Sequence, residues 1–126
     1  MNIDSFKVTR VSVIPVLAKV SITYSPVKVT TQHIVPGAVL YHVYALGESS
    51  FIERVIVKSR PYEKSLDLGL FIDTVNLGLF IDTVTGSRSL IDMNIIPNGY
   101  NSHRAFLSKE DAEAYLDYCL FNNINF

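Results

Sequence analysis

The sequence predicts an α+β fold, in which a mainly antiparallel β-sheet of about seven strands is followed by one short C-terminal helix that packs on it. Apolar and polar residues alternate with a period of two along much of the chain before Ile95, which is typical of half-buried strands. Helical spacing appears only near the C-terminus, where apolar residues recur at i, i+3, i+4 and i+7. These residues are Ala112, Tyr115, Leu116 and Cys119.

The first three strands are predicted over residues 6–14, 16–24 and 27–34. Every second residue from Val16 to Tyr24 is apolar, which gives that strand one buried face. Pro15 separates the first two strands because proline cannot donate a backbone hydrogen bond within a sheet. The third strand follows the break at Ser25-Pro26.

A central strand is predicted over residues 38–46, where AVLYHVYAL is apolar or aromatic on both faces. His42 lies within it, and we expect a core histidine with a backbone hydrogen bond. The next strand is predicted over residues 51–58 and ends before Arg60-Pro61.

A tandem repeat occupies residues 67–84, where DLGLFIDTV is followed by NLGLFIDTV. A recent in-frame duplication and deliberate engineering would each produce it. Two copies of nine residues are too few and too short for a solenoid. The copies predict a hairpin with a longer loop around Asn76 or a bulge at Gly78. The turn Thr85-Gly86-Ser87 then predicts a second hairpin, which joins residues 79–84 to 89–95.

The C-terminal helix is predicted to begin after Ser108 and to run for about 12 residues. Ser108 followed by Asp111 approximates a capping box, because a serine oxygen can accept from the backbone N–H three residues later. Acidic residues in the first turn also suit the positive end of the helix dipole.

The composition predicts one domain over residues 1–126. The chain has 11 basic and 12 acidic residues, which argues against a general nucleic-acid binder. Residues 1–60 hold seven Lys or Arg and three Asp or Glu, whereas residues 61–126 hold four and nine. This asymmetry and the exposed strand edges predict a homo-oligomer, and they also suit a localised anion site. The single cysteine and the lack of a long apolar run predict a cytoplasmic protein without a membrane span.

Catalytic, metal and cofactor motifs are not evident in the sequence. Asp82-Thr83 and Thr85-Gly86-Ser87 resemble an aspartic-protease motif, but Val84 and Thr85 interrupt it. That chemistry needs two carboxylates, and duplication explains the Asp73 and Asp82 pair more simply. The three histidines lack the spacing of a zinc site. Cys119 has no visible base, so packing is its predicted role. We therefore expect a binding protein and no cofactor, rather than an enzyme.

A candidate ligand site is predicted in the loop PNGYNSHRAF, residues 97–106. Its amide, hydroxyl, imidazole and guanidinium groups, with an aromatic ring, are those that hold a phosphate and stack a base. The predicted ligand-binding residues of the loop are Asn98, Tyr100, Asn101, His103 and Arg104. Ordinary turn chemistry, with Arg104 paired to an acidic residue of the helix, would explain the same residues.

Three further residues are predicted to contribute to this site. Arg60 follows the strand predicted over residues 51–58, and Arg88 follows the TGS turn. Either arginine would join Arg104 as a phosphate clamp, and Phe80 or Tyr100 would stack the base. Asn98 or Asn101 would then read the edge of the base.

The layout resembles small phage or prophage proteins that counter bacterial defence, and it is most similar in plan to the Thoeris anti-defence sponges. The segments that carry the resemblance are FKVTRVSVIPV, PNGYNSHRAF and FLSKEDAEAYL. The resemblance implies a homo-oligomer that sequesters a cyclic-ADP-ribose-type signalling nucleotide without cleaving it. No site residue is carried over from that family.

Nucleotide sequestration that blocks host antiviral signalling is therefore the predicted function. The alternative is a protein-binding inhibitor of a host defence or nucleic-acid-processing factor, which would use the acidic second half of the chain. Net −5 over residues 61–126 is sparse for a nucleic-acid mimic, and an enzyme acting on a nucleotide ranks third.

Overall fold

The computed structural model describes residues 5–12, 18–65, 77–97 and 102–122. These ranges form eight strands in three antiparallel sheets and one C-terminal helix, which confirms the predicted α+β class. The elements are β1 (Phe6–Ser12), β2 (Ala18–Tyr24), β3 (Val39–Tyr44), β4 (Phe51–Ile56), β5 (Tyr62–Ser65), β6 (Leu77–Thr83), β7 (Gly86–Ser89), β8 (His103–Phe106) and α1 (Lys109–Phe121).

The first sheet pairs β1 with β2, with Phe6 opposite Tyr24. The strands predicted over residues 6–14 and 16–24 are thus confirmed over most of their length, and Pro15 lies outside the described residues. The strand predicted over residues 27–34 is wrong: residues 25–30 are irregular and Thr31–His33 form a 3₁₀ turn. The Thr30 backbone N–H donates to Nδ1 of His33 at 2.9 Å, so a local side chain replaces a strand partner.

The second sheet has the order β4-β3-β8, so β3 is central, as predicted for residues 38–46. Alternation along β3 sends Leu40 to one hydrophobic cluster and Val43 to another, on opposite faces of the sheet. The strand predicted over residues 51–58 is confirmed as β4 over Phe51–Ile56.

The third sheet has the order β5-β6-β7. Strand β5 follows Pro61 directly, although no strand was predicted there. The second copy of the repeat forms β6, whereas residues 67–75 and the hairpin predicted between the copies lie outside the described residues. Backbone hydrogen bonds join the ends of the second and third sheets: Val84 donates to Ile56 and Lys58 donates to Asp82.

The hairpin around Thr85 forms with a different register from the predicted one. Thr83 pairs with Gly86, so Val84 and Thr85 are the turn residues and β7 already ends at Ser89. Gly86 has φ +123°, a conformation that side chains disfavour. The strand predicted over residues 89–95 is wrong because residues 90–94 form turns, with Asn94 at φ 54°. Asparagine tolerates this left-handed conformation better than most residues.

Two hydrophobic clusters hold these layers together. The first joins the second and third sheets through Leu40, Val55 and Ile81. The second packs α1 and β1 against the other face of the second sheet. The predicted helical stripe is confirmed: Ala112, Tyr115 and Cys119 are fully buried and Leu116 packs against them. No helix within the described ranges is both long and apolar enough to cross a membrane.

Replacing Ser108 by alanine should lower the free energy of unfolding by about 1 kcal/mol. Ser108 Oγ accepts a hydrogen bond from the Asp111 backbone N–H at 3.1 Å, and alanine leaves that N–H without its cap. Urea denaturation measures the loss, and Ser108→Asn, which restores a cap oxygen, is the control. Equal stability of the two variants would contradict a capping role.

Candidate functional site

A cleft of about 560 Å³ opens between the second and third sheets. Strand β7 is the edge of its sheet, so side chains from both of its faces reach the cleft. The opposite wall comes from β3 and from the start of β8. The lining residues are His42, Tyr44, Phe80, Ser87, Arg88, Ser89, Asp92, Met93, Ser102 and His103.

A set of stacked rings forms the wall that belongs to the second sheet. Tyr44 lies directly opposite Phe51 on β4 and His103 on β8, because the three residues share one register position. The centroid of the Tyr44 ring lies 4.4 Å from Phe51 and 4.0 Å from His42, and both pairs are stacked. His103 contacts Tyr44 edge-on at 4.9 Å. Ring contacts of this kind between and along neighbouring strands stabilise the sheet.

An ion pair bridges the two sheets at the cleft. Arg88 Nη1 and Nη2 donate to Glu53 Oε1 and Oε2 at 2.7 and 2.8 Å, a bidentate geometry. The Tyr44 hydroxyl donates to the same Oε1 at 2.9 Å. The hydrogen bonds from Arg88 lower the pKa of the Glu53 carboxyl, and those to Glu53 raise the pKa of Arg88. Arg88, which the sequence predicted to bind a phosphate group, therefore already has a carboxylate partner.

His42 is 3% exposed, and neither ring nitrogen has a hydrogen-bond partner in the described part of the chain. The predicted backbone hydrogen bond is therefore wrong. Strand β3 is central, so its backbone pairs with β4 on one side and β8 on the other, while the imidazole projects from the sheet. Burial, followed by the nearby His103, lowers the pKa of His42 to about 4.

Three of the predicted site residues come together in the cleft: Phe80, Arg88 and His103. Arg104 does not join them. Alternation along β8 places it on the other face, where its guanidinium carbon lies 5.0 Å from the centroid of Phe106 and 5.2 Å from that of Tyr115. It is buried against the helix and is not available to clamp a phosphate in the cleft.

Arg60 is not among the residues that line the cleft. Arg60 is exposed between β4 and β5. Asn98, Tyr100 and Asn101 lie outside the described residues.

The prediction missed Tyr44, Glu53 and the role of His42 as a lining group. His42 and Tyr44 alternate on one face of a predicted central strand, and two polar side chains on such a face were the available signal. The serines at 87, 89 and 102, with Asp92 and Met93, gave no comparable pattern.

The surroundings of Asp82 and Cys119 indicate structural roles for these two residues. Asp82 accepts a hydrogen bond from the Tyr62 hydroxyl at 2.6 Å on an exposed part of β6, and Asp73 lies outside the described residues. Cys119 is buried, and desolvation raises the pKa of its thiol to about 11. Across the described ranges, no three His, Cys, Asp or Glu residues gather as a possible metal site.

A family model described as phage g100-like protein matches residues 28–119. The match covers more than half of the chain and includes all the described residues that line the cleft. Comparison with curated proteins and with solved structures gives no match. The chain belongs to the phage g100-like protein family.

Proposed function

We propose that this phage protein captures a small anionic nucleotide of the cyclic ADP-ribose type in the cleft and thereby withdraws it from host antiviral signalling. The observation that carries the proposal is the convergence of Phe80 and Arg88, from the β6–β7 hairpin, with His103, from β8, on one cleft of about 560 Å³. This volume lies within the range of small-molecule sites, which combine aromatic walls with a few polar groups.

The phosphate of the ligand would bind at Arg88. The guanidinium has five N–H groups, and its two terminal nitrogens are oriented by Glu53. Its side chain is 21% exposed. The terminal nitrogens also donate to the Tyr44 hydroxyl at 3.3 Å and to Thr85 Oγ1 at 3.0 Å, and a phosphate would compete with these uncharged partners. The Lys64 ammonium lies 5.2 Å from the centroid of the Phe80 ring, which places a second cation next to a residue that lines the cleft.

Capture rather than conversion is part of the proposal. Glu53 is the carboxylate that the ion pair holds beside the cleft, and both of its oxygens accept hydrogen bonds from Arg88. Its lowered pKa makes it a weak base, and the low pKa of His42 makes that imidazole a poor proton acceptor near neutral pH. We also propose that the protein acts as a homo-oligomer in the cytoplasm of the host.

A thermal-shift and calorimetric titration with cyclic ADP-ribose, ADP-ribose and AMP tests the proposal. Binding to the native state raises the melting temperature, and mass spectrometry of the released ligand should show it intact. Altered ligand would indicate an enzyme. The absence of binding to every nucleotide would overturn capture and would favour the alternative, a protein-binding inhibitor.

Arg88→Gln should weaken nucleotide binding about tenfold or more, because a charge-assisted contact to phosphate is lost. Glu53→Gln is the matched control: it breaks the same ion pair but leaves the Arg88 charge in place. We expect this control to bind the nucleotide as tightly as the wild type or more tightly. Equal losses in both variants would mean that the ion pair matters only for the shape of the cleft.

A further inference from the structure

The residues that line the cleft divide by exposure into a buried, uncharged set, here called the inner end, and a more exposed, charged set, here called the outer end. The inner end is formed by the buried lining residues His42, Met93 and Ser102. The outer end carries Arg88 and the exposed Asp92. The two ends therefore offer different chemistry to the two halves of a nucleotide.

His42 is held in one orientation at the inner end. Its ring stacks on Tyr44 at 4.0 Å and meets His103 edge-on at 5.5 Å. A neutral imidazole presents one N–H donor and one nitrogen acceptor. Neither is satisfied within the described residues, although the ring is almost fully buried and faces a cleft. Such a group lowers the stability of the free protein and gains a hydrogen bond when a ligand supplies the partner.

We infer that the inner end is a subsite for an uncharged heteroaromatic ring such as a nucleobase, and that His42 hydrogen-bonds the edge of this ring. This inference rests on the proposed nucleotide capture. It assigns the two parts of the ligand to different places: the base binds at the inner end, and the phosphate binds at Arg88. Met93 offers an apolar, polarisable contact to the ring, as methionine does with aromatic groups.

A phosphate is poorly suited to the inner end. It would need a positive partner there. The groups that act electrostatically on His42 are His103, Glu53 and Arg88, and Arg88 is already paired with Glu53. The low pKa of His42 keeps the imidazole uncharged at neutral pH, so it cannot supply the missing charge. An uncharged base edge, by contrast, matches one donor and one acceptor.

Calorimetry on the full chain with adenosine, guanosine, AMP and ribose 5-phosphate tests this assignment. We expect a nucleoside to bind without any phosphate, and ribose 5-phosphate to bind at least about tenfold more weakly than AMP. His42→Phe keeps a ring stacked on Tyr44 but removes both nitrogens, so it should lose about tenfold or more in nucleoside affinity. His42→Gln, which restores a donor and an acceptor, should recover part of it.

Tyr41→Phe is the control, because Tyr41 packs on the opposite face of β3 and should leave the affinity unchanged. Wild-type affinity in His42→Phe, with AMP still bound by the wild type, would overturn the His42 subsite and leave nucleotide capture standing. Ribose 5-phosphate binding as tightly as AMP would overturn it in the same way. Failure of the wild type to bind any nucleotide or nucleoside would overturn both proposals.

Discussion

The free energy of unfolding should fall by about 3 kcal/mol as the pH drops from 6.5 to 4, through His42 alone. Burial lowers the pKa of His42 to about 4 in the folded protein, whereas the unfolded chain has the ordinary value of 6.5. Between these values the unfolded state binds a proton that the folded state does not. Acid therefore favours unfolding in this window, and the effect is absent above the unfolded pKa.

Urea denaturation at about pH 7 and about pH 5 should show about 2 kcal/mol of this loss, and His42→Phe should remove it. Glu53 acts in a lower window: its folded pKa lies below 4.5, so the stability that it contributes is lost only as the pH falls below that value. Glu53→Gln should therefore keep the loss between pH 6.5 and 4.5. The same pH dependence in the wild type and in His42→Phe would contradict a neutral, buried His42.

Ile81→Ala should lower the free energy of unfolding by about 3 kcal/mol, within the range for large-to-small changes in a core. Ile81 lies on β6, is fully buried, and belongs to the cluster that joins the second and third sheets. Alanine removes apolar contacts and leaves a cavity that a packed core fills only in part. Chemical denaturation monitored by circular dichroism gives the value.

Val84→Ala is the matched control for Ile81→Ala. Val84 follows β6 in the same copy of the repeat, but it is 56% exposed at the turn. We expect Val84→Ala to change the free energy of unfolding by no more than about 0.5 kcal/mol. Similar effects of the two substitutions would show that the second copy of the repeat does not anchor the core through Ile81.

Local patterns predicted the elements that a single stretch of chain can specify. The period-two alternation predicted β1 and β2, the two-sided apolar run predicted the central strand β3, and the Ser108 cap with its apolar stripe predicted α1. The prediction over residues 27–34 was wrong because Thr30 and His33 satisfy one another locally, which the alternation did not reveal.

The candidate site could be predicted only in part. A phosphate ligand was predicted at Arg104, but alternation along the short β8 turns that residue towards the helix and its neighbour His103 towards the cleft. A shift of one residue in the pairing register of a strand exchanges these faces, and the sequence alone does not fix that register. Arg88 lines the cleft, and its carboxylate partner Glu53 lies 35 residues away in the chain, a pairing that no local pattern predicts.

The sequence by itself determined the α+β class, the central strand, the helix and the tandem repeat, because each depends on periodicity or composition within a short window. The tertiary structure alone decided that Tyr44, Glu53 and Arg88 meet, that His42 is buried without a partner, and that Arg104 is on the far side of the sheet. These facts depend on how sheets pack and on which face each strand presents. Both are set by contacts between residues distant in the chain.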